Sequence, residues 1–107
     1  MAYKVLGQLA AAATTEEGLY AVPSSSSAVV STIVIANRGT TSATYRIAVK
    51  PTAATTLATN HYIAYDVPIA ANDSTALTLG LTLASTNAIR TYASNANLTF
   101  SAFGSEL

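Results

Sequence analysis

Read in steps of two, residues 75–83 set Leu77, Leu79, Leu81 and Leu83 on one side, with Thr78, Gly80 and Thr82 on the other. That alternation is the mark of a half-buried strand. Residues 44–50 repeat it, with Tyr45, Ile47 and Val49 against Arg46, Ala48 and Lys50. The run VVSTIVI at 29–35 is β-branched almost throughout, which suits a central strand covered on both faces. Asn37-Arg38-Gly39-Thr40-Thr41 supplies a turn able to hold positive φ, so 29–35 and 44–50 are expected to pair as a hairpin.

Shorter runs at 3–9, 18–22, 62–66, 88–94 and 97–103, each bounded by Ser, Thr, Asn, Pro or Gly, complete a set of about eight strands. Spacing of about 8 to 12 residues between turn signals predicts an all-β fold, a single-domain antiparallel β-sandwich over 1–107 of jelly-roll or immunoglobulin-like type. The core is expected to hold Val30, Ile33, Val34, Ile35, Tyr45, Ile47, Val49, Leu77, Leu79, Leu81, Leu83, Leu98 and Phe100. On that reading Leu79→Ala costs about 2 to 5 kcal/mol. The alanine run at 10–13 and the small, polar stretch at 52–59 read as loops, too short or too polar for a free-standing helix.

Composition changes the picture of the surface. Only 9% of residues are charged, against roughly 25% in an average domain. Five basic and five acidic residues cancel, while 27 Ser or Thr and 22 Ala dominate the chain. A surface of hydroxyls and methyl groups without net charge favours association, so a homo-oligomer is expected. The same balance leaves no electrostatic footprint for nucleic acid. No apolar run approaches the ~18 residues of a membrane span, and the first residues lack the apolar stretch of a secretory signal. Zero cysteines exclude disulfides and thiolate chemistry, in keeping with a reducing cytoplasm.

Candidate chemistry is sparse. His61 is the one possible imidazole base, and neither it nor Asp66 accompanies a nucleophile elbow, so it reads as a loop or strand-start residue. Asp66, Asp73, His61, Glu16 and Glu17 form no metal-binding motif, and Asn72-Asp73-Ser74 reads as a turn bonded to its own backbone. The expectation is no catalytic residue, no cofactor and no metal. The sequons at Asn72 and Asn97 are attributed to composition.

Tyr62, Tyr65 and Tyr92 are candidate interface residues, because tyrosine supplies contact area at low entropic cost. If exposed and coplanar they could instead form the platform of a carbohydrate-binding module. Alternation in the first strand sets Tyr3, Val5 and Leu9 on one face and Lys4, Leu6 and Gln8 on the other. Both faces are partly apolar, so this strand is expected to take two partners, with residues 1–9 contributing to a contact with another subunit or with another protein of the assembly. On that view, deleting residues 1–9 abolishes assembly and leaves a folded remainder.

The stretches Gly18-Leu19-Tyr20-Ala21-Val22-Pro23, Ala36-Asn37-Arg38-Gly39-Thr40, Ala43-Thr44-Tyr45-Arg46-Ile47-Ala48-Val49 and His61-Tyr62-Ile63-Ala64-Tyr65-Asp66 resemble small virion proteins of tailed bacteriophages, cyanophages included. The closing segments Ile89-Arg90-Thr91-Tyr92-Ala93-Ser94 and Leu98-Thr99-Phe100-Ser101-Ala102-Phe103-Gly104 resemble the C-terminal end of that group. The resemblance implies a non-enzymatic virion structural protein, most simply a capsid decoration or cement protein, with a neck, tail or baseplate component such as a fibre-like adhesin as the alternative. It implies major capsid or neck and tail proteins as partners. Among such proteins decoration commonly sits on local three-fold positions, which gives a trimer the preference.

Overall fold

The computed structural model describes residues 2–107; Met1, the first residue of the expected domain, lies outside them. Eight strands follow in order: β1 (Tyr3–Ala10), β2 (Glu17–Ala21), β3 (Ala28–Asn37), β4 (Ala43–Lys50), β5 (Tyr62–Ile69), β6 (Ser74–Leu83), β7 (Ala88–Ala93) and β8 (Leu98–Glu106). They lie close to the expected runs, the largest differences being the C-terminal ends of β5 and β8. The strands form two four-stranded sheets, β1-β8-β3-β6 (sheet A) and β2-β7-β4-β5 (sheet B). Every pairing between named strands is antiparallel. Each strand therefore sits beside the one counted from the far end of the chain, β1 with β8, β2 with β7, β3 with β6 and β4 with β5. That nested wrap is the jelly roll, one of the two sandwich types the spacing left open. Among the described residues no helix is long and apolar enough to cross a membrane.

The core lies between the sheets. Val30, Ile33, Ile35, Leu98 and Phe100 from sheet A meet Tyr45, Ile47, Ile69 and Ile89 from sheet B, all essentially without solvent exposure. Tyr45 and Phe100 make an edge-to-face contact at 6.4 Å between ring centroids. Gly104 is required where β8 passes β3, since a Cβ there would stand 1.9 Å from the carbonyl oxygen of Val29.

Three expectations are corrected. The hairpin between β3 and β4 does not form: β3 pairs with β6 and β8, and the connection after it carries the chain across to sheet B. Asn37 is buried and braces the crossing to sheet B. Its Nδ2 donates to the carbonyl oxygens of Thr41 (2.9 Å) and Ala70 (3.2 Å), while its Oδ1 accepts from the Gly39 amide (2.9 Å). Leu79 is not core but 46% exposed. Between the pairs Val30–Leu81 and Thr32–Thr78, edge strand β6 carries one residue more than β3, and Gly80 takes φ of +62°. The bulge throws Leu79 outward while Leu77 and Leu81 still pack on the core. Val34 is half-buried on the outer face of sheet A, so β3 is central but not covered on both sides.

The 10–13 stretch is shorter as a loop than expected, since Ala10 belongs to β1 and Ala13 forms an isolated bridge to Ala93, and the 52–59 stretch runs into a short 3₁₀ turn at Thr59–His61. His61 Nδ1 accepts from the Ala58 amide at 3.0 Å, and Asp73 Oδ1 accepts from the Ser74 amide at 2.8 Å, so both act as local backbone anchors.

Candidate functional site

The two outer faces differ in kind. Residues opposite one another in a sheet share a face, so the registers of sheet A can be read across it in rows. Tyr3 stands beside Ser105, Val29 and Thr82; Val5 beside Phe103, Thr32 and Thr78. Gln8 stands beside Ser101, Val34 and Ala76; Ala10 beside Thr99, Ala36 and Ser74. None of these residues is charged. Tyr3 is 86% exposed and Val5 50%, at the open edge of the sheet.

Leu9 does not share their face. Between Val5 and Gly7 the strand carries an extra residue against β8, and this bulge at Leu6 reverses the alternation. Leu6 and Leu9 consequently pack on the core while Tyr3 and Val5 look outward. The expected common face of Tyr3, Val5 and Leu9 is thereby corrected. Among the described residues β1 pairs with β8 alone, and its other edge is unpaired.

At one end of the sandwich a polar cluster ties β1 to both sheets. Lys4 Nζ lies 3.3 Å from Glu106 Oε1, and the Tyr20 hydroxyl donates to Glu106 Oε2. The hydrogen bond from Tyr20, then the one from Lys4, holds the Glu106 carboxyl below the usual carboxylate range. Burial, followed by the bond to Glu106, pushes the Tyr20 phenol well above its ordinary value. The depressed carboxylate stabilises the fold fully above its unfolded pKa of about 4.3 and stops doing so as pH falls through the folded value. The raised phenol stabilises fully below about pH 10 and stops as pH rises through its folded value. Glu106→Gln is therefore expected to flatten the acid limb of melting temperature against pH and to change the alkaline limb less, because the burial of Tyr20 remains; an unchanged acid limb would mean that other groups set it.

The outer face of sheet B gathers the charge that the registered rows of sheet A lack. Arg46 on β4 lies beside Tyr92 on β7, and Arg90 on β7 stands beside Ala48 on β4. Strand β5 bulges opposite β4, and Asp66 there takes φ of 50°, a conformation Asp tolerates. Its carboxylate meets Arg46 through Nε (2.6 Å) and Nη2 (3.3 Å). The guanidinium carbon lies 4.2 Å from the centroid of Tyr65 and 4.4 Å from that of Tyr92. Tyr62 meets Tyr65 edge-on at 4.8 Å, with their planes 84° apart. The hydrogen bond to Asp66 is the main reason Arg46 is held above its already high pKa. Beside this cluster Arg90 Nε donates to Glu16 Oε2.

The structure thus brings Tyr62, Tyr65 and Tyr92 together, but not as a coplanar platform. The residues that organise them, Arg46, Asp66, Arg90 and Glu16, were not singled out as an interface from the sequence. The outward position of Arg46 was legible from alternation; its neighbours depend on the pairing of β4 with β7 and β5, which no local pattern encodes. A pocket of about 280 Å³ opens between Arg46 and Arg90, walled by Tyr62, Tyr92, Ala48 and Leu57. Asp66 is engaged by Arg46 and His61 by its own turn. Among the described residues no group of three or more His, Cys, Asp or Glu side chains is placed to hold a metal. In comparisons with known proteins, the chain matches no family model, no curated protein and no solved structure.

Proposed function

We propose that this chain is a non-enzymatic virion structural protein whose sheet A docks on neighbouring protein, with capsid decoration as the leading role. The carrying observation is the outer face of sheet A, four rows of registered residues without a charge, ending at an unpaired β1 edge. Such a face binds by apolar contact and hydroxyl hydrogen bonds, and a free edge adds main-chain bonds. Symmetric copies turn weak contacts of this kind into avidity. A homo-oligomer, with a trimer preferred, would use the same face, and the other partners are the major capsid or the neck and tail proteins. Jelly rolls occur in viral capsid domains, a likeness of fold and not of function.

Cryo-electron microscopy of purified particles tests the reading. Copies numbering in the hundreds over the shell are the expected result for decoration. A few to a few dozen copies would transfer the protein to the neck, tail or baseplate, and absence from particles would overturn the virion role.

A further inference from the structure

We propose that the pocket between Arg46 and Arg90 on the outer face of sheet B binds one pyranose unit of a neutral saccharide, a tyrosine ring against its C–H face and guanidinium N–H groups on its hydroxyl oxygens. This goes beyond the virion role and does not rest on it.

Size comes first. At about 280 Å³ the pocket lies just under the usual range for small-molecule sites, which suits a single sugar ring. An adjoining groove of about 480 Å³ shares Tyr62 and Leu57 with it and runs past Thr59 and Tyr65, so a second unit has somewhere to lie.

The chemistry of the walls is mixed in the way a pyranose is mixed. Tyr62, Tyr92, Leu57 and Ala48 offer apolar surface, and an aromatic face is negative enough to attract polarised C–H groups. Thr14, Glu16 and the two arginines offer donors and acceptors. A guanidinium carries five N–H donors. Arg46 spends Nε and one Nη2 donor on Asp66, and Arg90 spends Nε on Glu16, leaving most of their donors without a protein partner among the described residues.

Charge then decides the class of ligand. Each arginine already has its own carboxylate, so the formal charges of Arg46, Asp66, Arg90 and Glu16 sum to zero at the site. A phosphate or uronate would meet no net positive field, whereas neutral hydroxyl oxygens need donors and not charge. Arg46 is also fixed in advance, between two rings and on a carboxylate, so little side-chain entropy is lost on binding. Tyr62 and Tyr65 stand perpendicular, so the aromatic surface beside the pocket is not a flat bed for a polysaccharide surface.

The test is an NMR titration of the full ¹⁵N-labelled chain with neutral hexoses, deoxy- and N-acetyl sugars and their disaccharides, alongside glucuronate and inorganic phosphate. A neutral sugar is expected to give saturable shifts at the Arg46 and Arg90 Nε–H and at the Tyr92 amide, with Kd of about 1 mM and tighter for a disaccharide. Tyr92→Ala and Arg90→Gln are each expected to weaken binding about tenfold or more, and Tyr3→Ala, on the opposite sheet, to leave it unchanged. Tyr62→Ala, on edge strand β5, serves if Tyr92→Ala does not keep a native spectrum. No saturable shift with any neutral sugar overturns the proposal, as does a tighter response to glucuronate or phosphate. Particle counts and sugar titrations are independent measurements, so failure of one reading is distinguishable from failure of the other.

Discussion

Replacing Phe100 with Ala is expected to cost about 3 to 5 kcal/mol, while Leu79→Ala costs under about 1 kcal/mol. Phe100 has no solvent exposure, lies on a central strand of sheet A and reaches across the sandwich to the edge of Tyr45. Truncation removes its transfer free energy, leaves a cavity between two sheets that cannot both collapse, and deletes an aromatic pair worth about 0.5 to 1.5 kcal/mol. Against the 5 to 15 kcal/mol that hold together a typical domain, that is a large share of the whole. Leu79 is half exposed on an edge strand beside a positive-φ glycine, so water already reaches the side chain. Urea denaturation of both variants measures the contrast. Equal losses would place the leucines of β6 in one buried row and rule out the bulge at Leu79.

Leu79 also shows what the sequence carries and what it does not. Alternation depends on each residue and its neighbours, so it located all eight strands and part of the core, from Val30 and Ile35 to Leu98 and Phe100, but missed Leu19, Val22, Ile69 and Ile89. A bulge adds one residue to one strand relative to another, and neither strand alone records it. Leu79 lies within such a shift in β6 and Leu9 follows one in β1, which is why alternation places both on the wrong face. The supposed hairpin fails for a related cause. A short polar link between two apolar runs looks the same whether the runs pair edge to edge or lie in opposite sheets, and in a jelly roll β3 and β4 lie in opposite sheets. The tyrosines were visible as a type of contact residue. Their convergence on Arg46 was not, since it joins β4, β5 and β7 across long separations.

Val5→Lys is expected to abolish incorporation into particles, or self-association where the protein forms a homo-oligomer, without unfolding it. Val5 is half exposed near the edge of sheet A, so a lysine there can reach water in the free protein and costs the fold little. In a docked face the same ammonium would be stripped of water among Phe103, Thr32 and Thr78, with no carboxylate registered in any of the four rows. An unpaired charge buried at an interface costs several kcal/mol, which lowers affinity by about a thousandfold or more. Deleting residues 1–9 separates nothing, because β1 also supplies Leu6 and Leu9 to the core and a full ladder to β8; its removal is expected to unfold the chain. The point substitution spares those contacts. Ala54→Lys, in the exposed loop between β4 and β5, adds the same charge away from the face and is expected to be incorporated normally. Counting copies per particle for both variants, with melting temperatures matched to the parent, tests the docking face directly. Parental incorporation of Val5→Lys would mean that sheet A faces solvent in the assembly and that the partner sits elsewhere on the molecule.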